Sequence, residues 1–181
     1  MNLFFIDTET TGFDPKKHEI FELAFTIEID GVTHCKMELF MRPEKWDNIS
    51  EKALAVNGWT VEKLRALPER SQFHKLFRSI PLFSPPLTIV EYSNKFDYKF
   101  LKAFHKETVG ERDFNLNFKK QSINVLSLAK KKLPGLKSHS LKSVARHLGI
   151  PADDSKLHGA GYDRDLLMHV YHKLKYRRDK K

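Results

Sequence analysis

The amino-acid sequence predicts an α/β protein: a mixed central sheet that begins with an antiparallel hairpin and is flanked by helices. Three observations carry this reading. Residues 3–6, Leu-Phe-Phe-Ile, form a short unbroken apolar run of the kind found in a strand covered on both faces. From Phe21 to Met41 the apolar residues recur with period two about a central Asp30-Gly31. Beyond that point most apolar positions recur at helical spacing, with one further strand-like run among them.

The elements follow in order. In the hairpin, Phe21, Leu23, Phe25, Ile27 and Ile29 face one way, with Glu22, Thr26 and Glu28 between them. Asp30-Gly31 is a favoured pair for a two-residue turn. Cys35, Met37, Leu39 and Met41 then alternate with His34, Lys36 and Glu38, so the hairpin is expected to be half buried. Residues 43–67 are expected to hold short helices. Phe73, Leu76, Phe77 and Ile80 keep helical spacing up to Pro81, and residues 87–90 read as a strand. Three helical faces follow: Phe100, Leu101 and Phe104; Leu141, Val144, Ala145 and Leu148; and Leu166, Leu167, Val170 and Leu174. Ser140 is suited to cap the second of these, and Gly149 lies just past its end.

With 181 residues and 40% apolar content, the chain reads as one domain, residues 1–176, followed by a basic tail, residues 177–181. No apolar run approaches the ~20 residues of a membrane-spanning helix. The first residues lack a basic leader, a long apolar stretch and a cleavage site, so no secretory signal is expected and the protein reads as cytoplasmic. One cysteine, Cys35, cannot form an internal disulfide, which fits a reducing compartment. The formal net charge of +9 and pI near 9.5 favour a polyanionic partner, nucleic acid above all. On charge alone, a basic protein without such a partner stays open. The surplus gathers at residues 130–132 and in Lys173, Lys175, Arg177, Arg178, Lys180 and Lys181.

The acidic residues are more specific. Asp7 and Glu9 close the first strand at i and i+2, which places them side by side on one face. The bland alternative is a solvated strand end. Asp97 opens the stripe of Phe100, Leu101 and Phe104, and Asp163 opens that of Leu166, Leu167 and Val170. A carboxylate at that position is either a favourable acid in a first helical turn or a buried charge that needs a partner. Asp165 falls off the stripe and is expected to be solvated. Four inward carboxylates with no evident basic partner point to a hard divalent cation, magnesium or manganese.

These residues resemble a known family. Residues 7–12, Asp-Thr-Glu-Thr-Thr-Gly, are similar to the first motif of the DnaQ-like 3′–5′ exonucleases with a histidine base. Residues 96–101 resemble the second motif, and His158 with Asp163 the third. Residues 57–60, Asn-Gly-Trp-Thr, resemble a segment that usually reads His-Gly-Ile-Thr, and residues 128–150 resemble the polymerase-associated members. The likeness spans nearly the whole chain in the family's order. It implies a ribonuclease H-like fold and hydrolysis assisted by two divalent ions, Mg2+ or Mn2+, held by Asp7, Glu9, Asp97 and Asp163. His158 would be the general base, since imidazole titrates near working pH. A tyrosine base is excluded because Gly159 stands where it would fall. Thr10, Thr11, Asn57 and Phe96 would contact the 3′ end.

The chain departs from the pattern at Tyr92-Ser93-Asn94, where His-Asn-Ala is common, and at Asn57. The implied partner is nucleic acid with a free 3′ end, single-stranded DNA before RNA, with polymerase association. Three alternatives compete with this reading. An RNA 3′-end exonuclease would use the same frame. A haloacid dehalogenase-like phosphatase is disfavoured by Glu9 and by the hairpin after the motif. A non-catalytic nucleic-acid-binding module would lack a ligand or the base, yet all five residues are present.

Overall fold

The computed structural model describes residues 1–79 and 86–177. Five strands, β1 Asn2–Thr10, β2 Ile20–Ile29, β3 Val32–Phe40, β4 Thr88–Glu91 and β5 Ile123–Asn124, form one sheet. Their order is β3-β2-β1-β4-β5. The β1–β2 and β2–β3 pairs are antiparallel, and β1–β4 and β4–β5 are parallel. This is the expected mixed sheet. Ile29 pairs with Val32, so Asp30 and Gly31 make a two-residue turn. Both have positive φ, 50° and 85°, as a type I′ turn requires.

The helices are α1 Glu51–Asn57, α2 Val61–Arg65, α3 Ser71–Ser79, α4 Phe96–Thr108, α5 Glu111–Asn117, α6 Val125–Lys132, α7 Leu141–His147 and α8 Ala160–Lys175. Helices α1 and α2 occupy the stretch expected to hold short helices. The Ser140 hydroxyl accepts the Ser143 N–H at 3.2 Å and caps α7, as its sequence suggested. Ile80 and Pro81, read as the end of α3, lie outside the described residues, as do residues 178–181 of the basic tail.

Alternation along β1 sorts its side chains between two cores. Phe4 and Ile6 pack with Phe25, Ile89, Phe100 and Phe104 on the α4 side. Leu3 and Phe5 pack with Val125, Val144, Leu167 and Val170 on the side of α6, α7 and α8. The same parity turns Asp7 and Glu9 toward α8 and Thr8 toward α4.

Two expectations are corrected. The hairpin is not half buried throughout: Glu22, Thr26 and Glu28 of β2 are only 2%, 0% and 6% exposed. Helix α8 lies across them and supplies partners to the two glutamates: the Ala160 N–H donates to Glu22 at 2.7 Å, and His172 Nε2 meets Glu28 Oε2 at 2.8 Å. The face of β2 that carries Glu22, Thr26 and Glu28 is covered by a docked helix, and only β3, the edge strand, is largely exposed. Asp165 is not simply solvated either. Its carboxylate accepts from Lys36 Nζ at 2.7 Å and from Arg164 Nη2 at 2.9 Å, joining α8 to β3.

Candidate active site

The C-terminal end of the central strand β1 and the first turns of α4 and α8 meet at one end of the sheet. One carboxylate oxygen each from Asp7, Glu9 and Asp163 lie within 4.8 Å of one another. Asp97 stands beside them as the charged neighbour that acts most strongly on Asp7. Its Oδ1 accepts the Thr8 hydroxyl at 2.8 Å, a bond from the opposite face of β1 that fixes the carboxylate's direction. Four acids predicted from three distant segments therefore come together.

Burial raises all four, and repulsion from neighbouring carboxylates adds to the rise at Asp7, Glu9 and Asp97. Burial, then the charges of Asp97, Asp163, Glu9 and Glu22, hold the Asp7 carboxyl well above its usual range. Burial, with Glu22 the leading charge, pushes Glu9 up to about 9. Burial pushes Asp97 up to about 7 against the Thr8 hydrogen bond, with Glu91 adding to the rise. Asp163 is raised by burial, partly offset by the His158 backbone N–H and the nearby imidazole. Protons or a cation must relieve such a cluster. Asp163 separates the two: its Oδ2 accepts the His158 N–H at 3.2 Å, while its buried Oδ1 has no hydrogen-bond partner. A set of hard oxygens containing one orphaned buried acceptor fits a divalent cation.

His158 sits just before α8 with its side chain exposed. Its φ of 64° is left-handed, a conformation that costs a non-glycine residue about 1–3 kcal/mol. The bond from its N–H to Asp163 holds the strained turn, so the imidazole is tethered at the rim of the acidic cluster.

The other anticipated residues are placed less directly. The Thr10 hydroxyl donates to the Gly12 carbonyl at 2.7 Å, and the Thr11 hydroxyl accepts the Glu19 N–H at 3.0 Å. Both side chains are buried and committed to the turn after β1. Asn57 ends α1, and its neighbours build the chain reversal. Gly58 takes the left-handed cap at φ 67°, and the Thr60 hydroxyl caps α2. No hydrogen bond among the described residues links Asn57 to the acids. Phe96 is partly buried against Phe100, with ring centroids 4.8 Å apart.

Sequence reasoning missed three residues here. Phe13, 73% exposed, lies 6.5 Å from the ring of Phe96, the residue that precedes Asp97 in the chain. An exposed Phe straight after Gly12 was the available signal. Glu22 and Glu91 are buried carboxylates beside the cluster; in sequence, Glu22 looked like one tooth of a solvent face.

A mixed sheet opening with a hairpin, with acids at the end of its first strand and on two flanking helices, defines a ribonuclease H-like fold built around a carboxylate site. Solved structures of exonuclease I share this fold. That from E. coli in complex with a dT13 oligonucleotide aligns with a TM-score of 0.75 at 19% identity, covering 97% of this chain and 41% of that one. That from Methylocaldum szegediense aligns with a TM-score of 0.75 at 18% identity, covering 99% and 41%. The chain belongs to the exonuclease family RNase_T, whose model matches residues 4–171. The resemblance to DnaQ-like proteins is thereby borne out. Relatives include a PolC-type DNA polymerase III of Thermotoga petrophila, 30% identical over 80% of this chain and 10% of that protein. The epsilon subunit of DNA polymerase III of Aquifex aeolicus is 28% identical over 93% of this chain and 78% of its own length. The chain thus spans about a tenth of the PolC-type relative. No helix among the described residues is long and apolar enough to cross a membrane.

Proposed function

We propose that this protein is a metal-dependent 3′–5′ exonuclease that releases nucleoside 5′-monophosphates from nucleic-acid 3′ ends, with single-stranded DNA the preferred substrate. The observation that carries the reading is the approach of Asp7, Glu9 and Asp163 oxygens to within 4.8 Å, with Asp97 alongside and His158 at the rim. Asp7, Glu9, Asp97 and Asp163 would hold two Mg2+ or Mn2+ ions. When bound, such ions polarise the phosphodiester and offset charge that develops in hydrolysis. His158 takes the proton of the attacking water, and its exposed position lets that proton pass to solvent. Asp163 fixes the histidine's backbone and so couples base to ligand.

Substrate placement follows from the surroundings. Phe13 and Phe96 offer aromatic faces on which terminal bases stack, a contact that tolerates any sequence. Thr10 and Thr11 shape the turn under the 3′ end, and Asn57 lies on the approach where the related segment carries histidine. Because the centre is acidic, affinity for phosphates must come from elsewhere. A cavity of about 790 Å³ lined by Lys131, Lys132, Lys137, His147, Arg177 and apolar Leu133, Pro134 and Leu136 supplies one basic surface. Preference for DNA is supported by relatives named as DNA polymerase III components, which also support association with a polymerase. The test is degradation of 5′-labelled single-stranded DNA, RNA and duplex with Mg2+ or Mn2+, each with a free or blocked 3′ end. A ladder descending from the free 3′ end is expected, fastest for single-stranded DNA. Internal cuts, or no cleavage with either metal, would overturn the reading.

A further inference from the structure

Helices α4 and α8 deliver Asp97 and Asp163, and both open without a cap of their own. Lys95 and Gly159, the residues preceding them, make no side-chain cap bond. By contrast, Ser50, Thr60, Asn124 and Ser140 cap α1, α2, α6 and α7 from within the chain just ahead of each helix. Lys95 is also a poor choice electrostatically, since it brings a cation to the positive end of a helix.

The missing caps come from the sheet. Glu22 of β2 accepts the Ala160 N–H, the first donor of α8, at 2.7 Å, and the neighbouring Gly161 N–H also favours its ionised form. Glu91, the last residue of β4, accepts the Tyr98 N–H, an orphan donor of α4, at 3.2 Å, and the neighbouring Asp97 N–H also favours its ionised form. Its second oxygen is held by the Ser122 hydroxyl at 2.6 Å. The two glutamates are 2% and 0% exposed. Strands β2 and β4 flank β1, which carries Asp7 and Glu9, and Glu22 pairs directly across from Glu9. Each ligand-bearing helix is thus tied to the strand beside β1 by a buried carboxylate.

We infer that Glu22 and Glu91 are positioning residues that hold Asp163 and Asp97 at working distance from Asp7 and Glu9. The inference rests on the proposed metal-dependent function and deepens it. A Ser or Asn ahead of the helix would satisfy the same donors without adding buried negative charge. It would leave the distance between helix and sheet free. A glutamate reaching out of the neighbouring strand sets that distance, and a misplacement of about 1 Å can cost about 10²-fold in rate.

The test compares Glu22→Ala and Glu91→Ala with Glu22→Gln and Glu91→Gln, which keep an acceptor oxygen. Mn2+ binding is titrated by electron paramagnetic resonance without substrate. Amide exchange is followed at Ala160, Gly161 and Tyr98 in the metal-free protein, and kcat and KM are measured on a labelled oligonucleotide. The Ala variants are expected to bind Mn2+ about 10–100-fold more weakly and to lose kcat in proportion. KM should stay within about threefold, and exchange should accelerate only at the helix that lost its cap. The Gln variants should recover most of the loss. Val170→Ala, which cuts the buried face of α8, is the control: it should lower the melting temperature while leaving Mn2+ affinity unchanged. Wild-type Mn2+ affinity in both Ala variants would overturn the inference. So would Gln variants as impaired as Ala, or a Val170→Ala protein with the same metal defect. Should the wild type bind Mn2+ yet degrade no oligonucleotide, the exonuclease reading falls while the binding and exchange measurements still decide this one.

Discussion

Glu9 allows the electrostatic argument to be tested without any nuclease assay. Its carboxyl is displaced from 4.5 to about 9 by burial first, then by Glu22, Asp163 and Asp97. Between those values the folded protein binds a proton that the unfolded chain has released. The protonated form therefore stabilises the metal-free fold at low pH, and that contribution is lost as pH rises toward the folded value. At ~1.36 kcal/mol per pH unit, raising pH from 5 to 7 withdraws about 3 kcal/mol through this one group. For a chain of this size that lowers the melting temperature by about 5–10 °C. Asp97 and Glu22, each pushed up to about 7, act with the same sign. A divalent cation favours the ionised carboxylates and reverses the trend, so Mg2+ should raise the melting temperature more at pH 7 than at pH 5. Melts in EDTA and in excess Mg2+ across pH 5–8 measure both slopes. Glu9→Gln should melt higher than wild type in EDTA at pH 7, with a shallower pH slope and a smaller response to Mg2+. A wild-type melting temperature in EDTA that is flat or rises from pH 5 to 7 would refute the reasoning. So would a Glu9→Gln protein with an unchanged slope.

Other outcomes follow from the same geometry. His158→Ala should lower kcat by about 10²–10⁴-fold while Mn2+ binding is retained, because no metal-facing oxygen is removed; near-wild-type turnover would leave His158 as a loop residue. Phe13→Ala should raise KM for single-stranded oligonucleotides about 5–100-fold, the loss of one base stack, and leave metal affinity unchanged. Lys131 and Lys137 are exposed in the basic cavity, and replacing both with Ala should reduce the slope of log affinity against log salt by about 1.4. An unchanged slope, read by anisotropy of a labelled oligonucleotide in EDTA, would place the phosphate contacts elsewhere. Asp165→Asn should cost about 1–3 kcal/mol in thermal unfolding and leave hydrolysis intact, since it removes the carboxylate partner of the buried Arg164 together with a partly exposed ion pair to Lys36.

Much of this protein is legible in one dimension because the relevant signals are local. Period-two alternation about Asp30-Gly31 determines the hairpin, since both turn residues must take positive φ and strand parity assigns each side chain a face. The same parity is why Asp7 and Glu9 had to project together, and helical spacing is why Asp97 and Asp163 had to open faces that pack on the sheet. Nothing local marks which helix covers which polar residue. Glu22, Thr26 and Glu28 alternate as a solvated face would, and only α8, about 140 residues downstream, turns that face into an interface. The same holds for Asp165, whose partner Lys36 lies 129 positions away. Caps supplied across the fold are invisible for a further reason. A self-cap leaves Ser, Thr or Asn at a fixed offset before its helix, as at Ser50 and Ser140, whereas Glu22 and Glu91 act on helix starts set by tertiary packing alone. The sequence by itself determined four of the five strands, the turn and which acids and histidine were candidates for the site; β5 it left unread. The tertiary structure alone decided how those acids are held apart and in register, because that depends on donors and acceptors brought together only when distant segments pack.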